Sequence, residues 1–348
     1  RCTIRRIHMQ HFTLGRTNLE ISRTGFGALP IQRVSFDEAS ALLNRALDGG
    51  ITYIDTARAY TDSEEKIGRA IAHRRAEYIL ATKTGAQDAA GLEKDLEASL
   101  RMLNTDHIDV YQFHNPPFVP YPGGADGLYD AAVKAREAGK IRFISITQHS
   151  IDRAFDAVNS GLYDTVQYPF NHLATDREIE LVKLCREKNV GFICMKALSG
   201  GLITNAKLPF AWLSQFDNIV PIWGIQRMNE LEEILGFSEN PPALDAETLA
   251  LIEADRRELV GAFCRGCGYC MPCPAGIPIN NANRITQLLQ RSPWKGWITP
   301  EWQKEMDKIE DCIHCGACAR KCPYGIKPFE TLPGHLAFYR EFVKTHQA

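Results

Sequence analysis

Ile51-Thr-Tyr-Ile-Asp-Thr56 is a short apolar run that ends in polar residues, and it decides the fold because this pattern recurs along the chain. Similar runs alternate with amphipathic, helix-like stretches between about residues 25 and 235. Short apolar runs of this kind are typical of strands that are buried on both faces of a parallel sheet. The eight predicted strands are Gly25–Pro30, Ile51–Thr56, Tyr78–Thr84, Ile108–His114, Ile141–Thr147, Thr165–Phe170, Val190–Lys196 and Ile219–Gly224.

Eight strands that are each followed by a helical pattern predict an α/β fold, the closed (β/α)8 or TIM barrel. Before the first barrel strand, Phe12–Ser22 predicts a hairpin that plugs the bottom of the barrel. After the last strand, Asp245–Leu259 predicts a connecting helix. The predicted organisation is a barrel over residues 1–240, a linker helix over residues 241–260 and a cysteine-rich domain over residues 261–348.

The composition is that of a soluble globular protein: 348 residues, 45% of them hydrophobic and 24% charged, with a formal net charge of −2. The chain has no excess of positive charge that would indicate binding to nucleic acid or to an anionic membrane surface. No apolar segment approaches the roughly 20 residues that a membrane span needs. The basic opening Arg1–Arg6 is not followed by an apolar segment, so no secretory signal is predicted. We therefore expect a cytoplasmic protein without nucleic-acid or membrane partners.

Eight of the eleven cysteines fall in two short runs, a spacing that predicts metal binding rather than disulfides in a chain without a secretion signal. The second run, Cys312–Pro323, has the C-x2-C-x2-C-x3-C-P spacing by which thiolates hold 4Fe–4S clusters. The first run, Cys264–Pro274, has two residues rather than three before its fourth cysteine. The predicted metal ligands are Cys264, Cys267, Cys270, Cys273, Cys312, Cys315, Cys318 and Cys322.

Helical stretches are predicted between the two runs, at Ile279–Gln290 and Pro300–Glu310, and the region resembles the helical two-cluster ferredoxin domains of several reductases. In such ferredoxins the fourth cysteine of each run binds the other cluster. By that rule Cys322 completes the cluster of the first run, and Cys273 completes that of the second. Zinc is the alternative metal, because C-x2-C pairs also build tetrahedral zinc sites. Zinc ribbons use separated pairs, so the triple runs favour two 4Fe–4S clusters.

Polar residues stand at the predicted carboxyl ends of three consecutive barrel strands. Asp55 ends the second strand, Lys83 the third and His114 the fourth, and Tyr60 follows Asp55 by five residues. Adjacent strand ends of a parallel barrel meet at one mouth, where barrel enzymes hold their reactive groups. A tyrosine is a poor acid at neutral pH, but a neighbouring ammonium stabilises its phenolate and lowers its pKa. Taken singly, each residue also fits a solvated strand end or a hydrogen-bonded loop residue.

Further motifs accompany these four residues: Leu14–Ser22 with Gly25–Gly27, Ser63–Gly68, Gly139–His149 and Val166–Asn171. Together they resemble the aldo-keto reductase family over the whole barrel, about two thirds of the chain. The resemblance implies that Asp55, Tyr60, Lys83 and His114 form the family's catalytic tetrad. Tyr60 is then the general acid for carbonyl reduction and the base for alcohol oxidation. The resemblance also implies an extended nicotinamide dinucleotide, bound without a Rossmann fold.

By the same resemblance, contacts with the nicotinamide carboxamide are expected at Thr147, Gln148 and Gln167, and an approach to the pyrophosphate at the turn Leu198-Ser-Gly-Gly201. Two departures leave the choice between NADP(H) and NAD(H) open. Met195-Lys196 stands where many members place a stacking tyrosine, and Gly224-Ile-Gln-Arg227 stands where many place a Lys-Ser phosphate clamp. The expected cofactor-binding residues are Thr147, Gln148, Gln167, Lys196, Leu198, Gly200, Gly201, Gly224, Gln226 and Arg227.

The sequence leaves three functions open. The first is an oxidoreductase that interconverts a small-molecule carbonyl and an alcohol by hydride transfer, with clusters that relay electrons and with a redox protein as a candidate partner. The second is a nicotinamide-dependent carbonyl reductase whose clusters only stabilise a small domain. The third is an electron-transfer or redox-sensing protein with a repurposed barrel. The complete set of four barrel residues favours the enzymes.

Overall fold

The computed structural model describes residues 9–259, 264–291 and 294–346. Its contacts divide the chain into two compact units. The first unit contains the chain as far as Ala197 together with Lys207–Thr248, and the second contains Leu198–Ala206 and the chain from Leu249 onward. The domain limits at residues 240 and 261 stay a prediction.

Eight parallel strands close into a barrel in the first unit, which confirms the predicted fold. They follow one another in chain order around the barrel, and the last pairs with the first. A short antiparallel pair precedes them. The pair is β1 His11–Thr13 and β2 Glu20–Ser22, and the barrel strands are β3 Gly25–Gly27, β4 Tyr53–Asp55, β5 Ile79–Thr84, β6 Ile108–His114, β7 Ile141–Thr147, β8 Thr165–Pro169, β9 Gly191–Met195 and β10 Ile219–Gly224.

Three barrel strands, β6, β7 and β10, have the predicted bounds, and the other five are shorter than predicted by a few residues. The largest differences, three residues each, are in β3 and β4. Strand β3 ends at Gly27 because Pro30 begins a 3₁₀ turn over Pro30–Arg33. Proline lacks the N–H that a parallel ladder needs, and its fixed φ suits the first position of a helical turn. Every barrel strand still ends at the same mouth, so the shorter bounds leave the placement of the site unchanged.

The helices of the first unit follow the barrel strands in sequence. Helix α1 begins with a capping box, in which the Ser35 side chain and the Glu38 side chain each accept a backbone N–H of the other residue. The helices are α1 Phe36–Asp48, α2 Ser63–Ile71, α3 Ala89–Leu103, α4 Leu128–Glu137, α5 Ile151–Ser160, α6 Asp176–Glu187, α7 Lys207–Leu213 and α8 Met228–Glu239.

The hairpin β1–β2 plugs the amino-terminal end of the barrel, as predicted. Its Leu14 and Ile21 are fully buried in one apolar cluster with barrel residues such as Tyr53 and Val110. Burying a side chain of this size contributes about 1.5–3 kcal/mol. The turn comes so close to β9 that a Cβ on Gly15, whose φ is +51°, would lie 2.3 Å from the Gly191 nitrogen. The bottom of the barrel is therefore closed by apolar packing, and polar chemistry is left to the opposite end.

Helices build the second unit, and the longest of those described there, Pro328–His346, has 19 residues. The predicted linker helix is present as α9, Ala246–Leu259. The predicted helix Ile279–Gln290 is wrong as a single element, because the chain turns at Asn283 and Arg284 and forms two shorter helices. The remaining helices are α10 Ile279–Ala282, α11 Ile285–Arg291, α12 Pro300–Asp307, α13 Ala317–Arg320 and α14 Pro328–His346. No helix in the described part of the chain has the length and apolarity to cross a membrane.

Candidate active site

A buried ion pair joins β4 and β5 at the carboxyl end of the barrel. The Lys83 Nζ donates to Asp55 Oδ1 at 2.5 Å and to the Thr56 carbonyl at 2.7 Å. The two side chains are only 1% and 2% exposed. The other carboxylate oxygen, Asp55 Oδ2, accepts from Gln112 Nε2 at 2.9 Å. Both charges are thus held in fixed positions inside the barrel wall.

The loop after β4 places Tyr60 over this ion pair. The loop runs back along β5, where the Arg58 N–H donates to the Lys83 carbonyl at 3.0 Å. As a result the Lys83 ammonium lies 5.2 Å from the centre of the Tyr60 ring. The His114 ring, at the end of β6, meets the Tyr60 ring edge-on with the ring centres 5.9 Å apart. The structure therefore brings Asp55, Tyr60, Lys83 and His114 together, as the sequence predicts.

One neighbour of the cluster differs from the local sequence pattern. Thr61-Asp-Ser-Glu64 has capping-box spacing, but α2 begins without a side-chain cap. Glu64 is buried instead and accepts from Thr82 Oγ1 and Ser99 Oγ, both at 2.7 Å, and from Arg58. A buried carboxylate needs such partners, and the barrel wall provides them. Glu64 therefore adds a second negative charge near Lys83.

The pKa values of the cluster are set first by burial. Burial raises the pKa of Asp55 and lowers that of Lys83, and the charge of each partner opposes the shift of the other. Burial also raises the pKa of Tyr60, and the Asp55 charge acts in the same direction. Any lowering of the Tyr60 pKa by Lys83 is outweighed, because burial raises this pKa and so does the charge of Asp55, which lies 2.5 Å from the ammonium. The phenol is therefore protonated at neutral pH and is ready to act as an acid.

His114 is held in its neutral form. Burial, assisted by the nearby Lys83 charge, lowers the pKa of His114 to about 3. A neutral imidazole carries one N–H donor and one acceptor, so it can donate a hydrogen bond without transferring its proton. At neutral pH the ring is thus suited to orienting a carbonyl oxygen.

This low pKa predicts a pH dependence of stability. In the unfolded chain His114 takes up a proton below about pH 6.5, whereas in the folded protein it does so only near pH 3. The unfolded state binds more protons in between, so the free energy of unfolding decreases as the pH falls, by up to about 1.4 kcal/mol per pH unit from this residue. Urea unfolding between about pH 4 and pH 6 should give a smaller slope for His114→Gln than for the wild type. The exposed His73→Gln is the matched control, and equal slopes for wild type and His114→Gln would contradict the buried neutral imidazole.

Two of the residues expected to contact a nicotinamide lie on neighbouring strands. Thr147 of β7 is in register with Gln167 of β8, and both are buried. The Gln167 side chain hydrogen-bonds to Asp55, and its Oε1 has no partner among the described residues. Gln148 differs, because its amide already donates to the Pro116 carbonyl and accepts from Arg153. Both groups of the Gln148 amide thus have protein partners at the mouth of the barrel, so this amide is not free to bind a carboxamide.

The residues expected near an adenosine phosphate lie at the start of α8. Gly224 ends β10, and the backbone N–H groups of Gln226 and Arg227 both donate to Glu230 Oε2, at 2.8 and 2.9 Å. The Arg227 guanidinium is largely exposed and lies 3.6 Å from the same carboxylate. The backbone N–H groups at this helix start would suit a bound anion, but the Glu230 carboxylate already accepts from them.

The segment after β9 contains a sharp turn. Lys196, Ser199, Gly200 and Gly201 all have positive φ, between 50° and 92°. The Gly201 N–H donates to the Leu198 carbonyl at 2.9 Å and closes the turn. Successive residues in this conformation expose backbone N–H groups on one side, as anion-binding loops do. Lys196 is partly buried, and its carbonyl accepts from Asn171 Nδ2 at 2.8 Å.

The cysteines of the second unit form two neighbouring groups. A cavity is lined by Cys312, Cys315 and Cys318 of the second run together with Cys270 and Cys273. In the other group, burial raises the pKa of Cys264, with a further contribution from the charge of Cys322. Burial and the charges of Cys264 and Cys267 raise the pKa of Cys270 to about 12. Cys270 thus borders both groups, and the exchange of fourth ligands stays a prediction.

Comparison with known proteins agrees with the geometry of the barrel. The sequence profile of the Aldo/keto reductase family matches residues 23–211, more than half of the chain. The chain belongs to the aldo/keto reductase family. A second profile, that of the 4Fe-4S dicluster domain, matches residues 263–327. The chain is therefore a member of the aldo/keto reductase family that also carries a 4Fe–4S dicluster domain.

Two relatives within the family are identical to this chain at about a third of the aligned residues. The aldo-keto reductase YhdN of Bacillus subtilis is 34% identical over 221 residues, which cover 56% of this chain and 64% of that protein. The L-galactose dehydrogenase of Arabidopsis thaliana is 31% identical over 215 residues, which cover 56% of this chain and 67% of that protein. This chain thus spans less than two thirds of YhdN.

Among solved structures, the holo form of an aldo-keto reductase from Bacillus halodurans superposes with a TM-score of 0.63 at 21% identity. The superposition covers 71% of this chain and 96% of that chain. At this identity the likeness concerns the fold, which is the barrel.

Sequence reasoning missed one member of this aldo/keto reductase site. Gln112 is fully buried and holds Asp55 through its Nε2 atom. It precedes His114 by two residues on β6, so the two share a face of the strand. The two-residue periodicity of the strand was therefore the signal that could have identified Gln112. The apolar residues around Gln112 made this signal less apparent.

Proposed function

We propose that this aldo/keto reductase family member interconverts a carbonyl and an alcohol, with Tyr60 as general acid and base. The observation that supports the proposal is the Lys83–Asp55 ion pair beneath Tyr60, with the ammonium 5.2 Å from the Tyr60 ring centre. The His114 ring completes the cluster at 5.9 Å from the Tyr60 ring. A half-buried acid beside a fixed cation is the arrangement that proton transfer to an alkoxide requires.

The barrel residues fit a nicotinamide. Gln167 has a buried Oε1 with no donor among the described residues, and a carboxamide NH2 group would supply one. Thr147, in register on the neighbouring strand, accepts the Asn115 N–H through Oγ1 and keeps its own hydroxyl proton for donation. We therefore assign Thr147 and Gln167 to the carboxamide. The further contacts at Lys196, Leu198, Gly200 and Gly201 stay predictions.

In the proposed reaction each barrel residue has a defined task. When bound, the nicotinamide supplies a hydride to the carbonyl carbon or takes it back from the alcohol. The Tyr60 hydroxyl donates its proton to the carbonyl oxygen during reduction, and the Lys83 ammonium stabilises the phenolate that remains. Asp55 holds the ammonium in place. The neutral His114 ring orients the carbonyl oxygen by a hydrogen bond.

The start of α8 favours NAD(H) over NADP(H). Glu230 accepts the N–H groups of Gln226 and Arg227, so its carboxylate would repel a 2′-phosphate at this position. We expect the Glu230→Gln variant to bind NADPH more tightly, by about fivefold to tenfold, and to bind NADH as before. Fluorescence titration with each nucleotide measures the ratio of affinities. An unchanged ratio would place the 2′-phosphate elsewhere, and Glu233→Gln on the exposed face of α8 is the control.

In the second unit we propose two 4Fe–4S clusters that relay electrons. Cys264, Cys267, Cys270 and Cys322 would hold the first cluster, and Cys273, Cys312, Cys315 and Cys318 the second. When bound, the clusters supply one-electron transfer, and two of them match the two electrons of a hydride. The partners would then be a small-molecule carbonyl or alcohol and a redox protein.

The exchange of fourth ligands predicts the effect of one substitution. Although Cys273 belongs to the first run, Cys273→Ser should remove the second cluster and leave the first intact. Iron content should fall from about eight to about four per chain, and the electron paramagnetic resonance (EPR) spectrum should keep the signal of a single cluster. Cys322→Ser should have the opposite effect. Loss of the same signal in Cys273→Ser and Cys267→Ser would contradict the exchange.

The carbonyl chemistry is tested by anaerobic turnover. Oxidation of NADH and NADPH is followed with aldehydes, ketones and sugars, because one relative is named L-galactose dehydrogenase. We expect turnover with at least one carbonyl class, and reduction of NAD+ or NADP+ by the corresponding alcohol. Absence of both reactions in the iron-replete protein would contradict the proposal.

A further inference from the structure

A buried arginine lies between the cysteine runs and the turn after β9. Arg284, at the break between α10 and α11, is only 9% exposed. Its Nη2 donates to the Gly200 carbonyl at 2.9 Å. Both residues belong to the second unit, because the segment Leu198–Ala206 is grouped there by its contacts. This hydrogen bond thus fixes the turn in which the consecutive residues Ser199, Gly200 and Gly201 all have positive φ.

The same guanidinium presses against the first cysteine run. A Cβ on Gly266 would lie 2.2 Å from Arg284 Nη1 and 3.0 Å from its Cζ. Gly266 also has a φ of +63°, so glycine is required there for two reasons. Because Gly266 lies between Cys264 and Cys267, the charge is placed directly behind the backbone that carries two predicted ligands.

The Cys264 sulfur is bonded to the same glycine. Its Sγ accepts the Gly266 N–H at 3.5 Å, so the Arg284 guanidinium lies close to a predicted cluster ligand. Hydrogen bonds and positive charge near the sulfur ligands favour the reduced, more negative form of an iron–sulfur cluster.

We propose that Arg284 is a positioning residue that couples the charge of the first cluster to the Ser199–Gly201 turn. The proposal rests on the clusters proposed above and on the predicted approach of the turn Leu198–Gly201 to a pyrophosphate, for which this turn is called the nucleotide turn. Reduction adds a negative charge beside the guanidinium and draws it toward the cysteine run. The hydrogen bond to the Gly200 carbonyl carries that change to the turn. By reciprocity, a pyrophosphate bound at the turn must shift the reduction potential of the first cluster.

The test is a redox titration of the full-length, iron-replete protein, followed by EPR. Arg284→Met should shift the midpoint potential of the first cluster to a more negative value and leave the second unchanged. Arg284→Lys keeps the positive charge but loses the planar set of guanidinium N–H donors, so the midpoint potential of the first cluster should stay close to the wild-type value. Arg340→Met, whose side chain pairs with Asp307 and Glu310 on the surface, is the control and should shift neither.

Coupling is measured by repeating the titration with ADP-ribose, which carries the pyrophosphate but cannot exchange a hydride. We expect ADP-ribose to shift the first potential in the wild type, less in Arg284→Lys and not in Arg284→Met. An equal shift in wild type and Arg284→Met, or a first potential that Arg284→Met leaves unchanged at full iron content, would overturn the proposal and leave the proposed function standing. Calorimetry that shows no ADP-ribose binding would overturn the coupling together with the nucleotide turn, while the anaerobic turnover assay judges the carbonyl chemistry separately.

Discussion

Replacing Tyr60 by phenylalanine should reduce kcat/KM for carbonyl reduction by about 10²–10⁴-fold, the usual contribution of a positioned general acid. The variant keeps the ring that packs edge-on against His114 and loses only the hydroxyl that donates the proton. Nucleotide affinity, iron content and the EPR spectrum should stay at wild-type values. Single-turnover reduction under anaerobic conditions is the appropriate assay, because it reports the chemical step rather than product release.

Tyr78→Phe is the matched control for this substitution. Its hydroxyl is buried and has no hydrogen-bond partner among the described residues, and it precedes β5 at the opposite end of the barrel. We expect wild-type turnover from this variant. Unchanged turnover in Tyr60→Phe would contradict the assignment of the proton donor, and equal losses in both variants would indicate a general loss of structure.

Removing Lys83 should have the largest effect on stability. Lys83→Met leaves the Asp55 carboxylate in a site where it is 2% exposed and without its cation. Breaking a buried ion pair from one side costs about 3–5 kcal/mol in the free energy of unfolding. Turnover should also be lost, because no ammonium remains to stabilise the phenolate of Tyr60. The urea midpoint of the barrel transition, followed by circular dichroism, measures the first effect.

A double variant separates the two effects. In Asp55→Asn/Lys83→Met the site is neutral, and the introduced amide oxygen can still accept from Gln112, so most of the stability should return while turnover stays lost. Lys94→Met, on the exposed face of α3, should change the free energy of unfolding by less than about 0.5 kcal/mol. If Lys83→Met were as stable as this control, the ion pair would not be buried as described.

The barrel was predictable because its signal is periodic and repeated. Strands β6, β7 and β10 have the bounds that their apolar runs predict, since buried parallel strands read as continuous apolar segments. The break in the predicted helix Ile279–Gln290 was not predictable from that signal. It occurs at Asn283 and Arg284, where the Arg284 hydrogen bond to Gly200 depends on a residue far away in the sequence.

The same distinction holds for the candidate site. Asp55, Lys83 and His114 were predicted together because adjacent parallel strands end at one mouth. The direction of the Tyr60 pKa was not predicted, since it depends on burial and on how closely Asp55 compensates Lys83. These are quantities of the packed protein, which residue types alone do not specify.

We propose that the barrel and the clusters form one redox enzyme. The decisive experiment is to add the active nucleotide and then the carbonyl to the anaerobic, iron-replete protein while visible absorbance and EPR are recorded. We predict that the reduced nucleotide bleaches the clusters, that the carbonyl restores their absorbance, and that Tyr60→Phe loses the second of these changes. Nucleotide consumption by the carbonyl while the clusters stay oxidised, at a rate that removal of the iron leaves unchanged, would contradict the claim and assign the clusters a structural role.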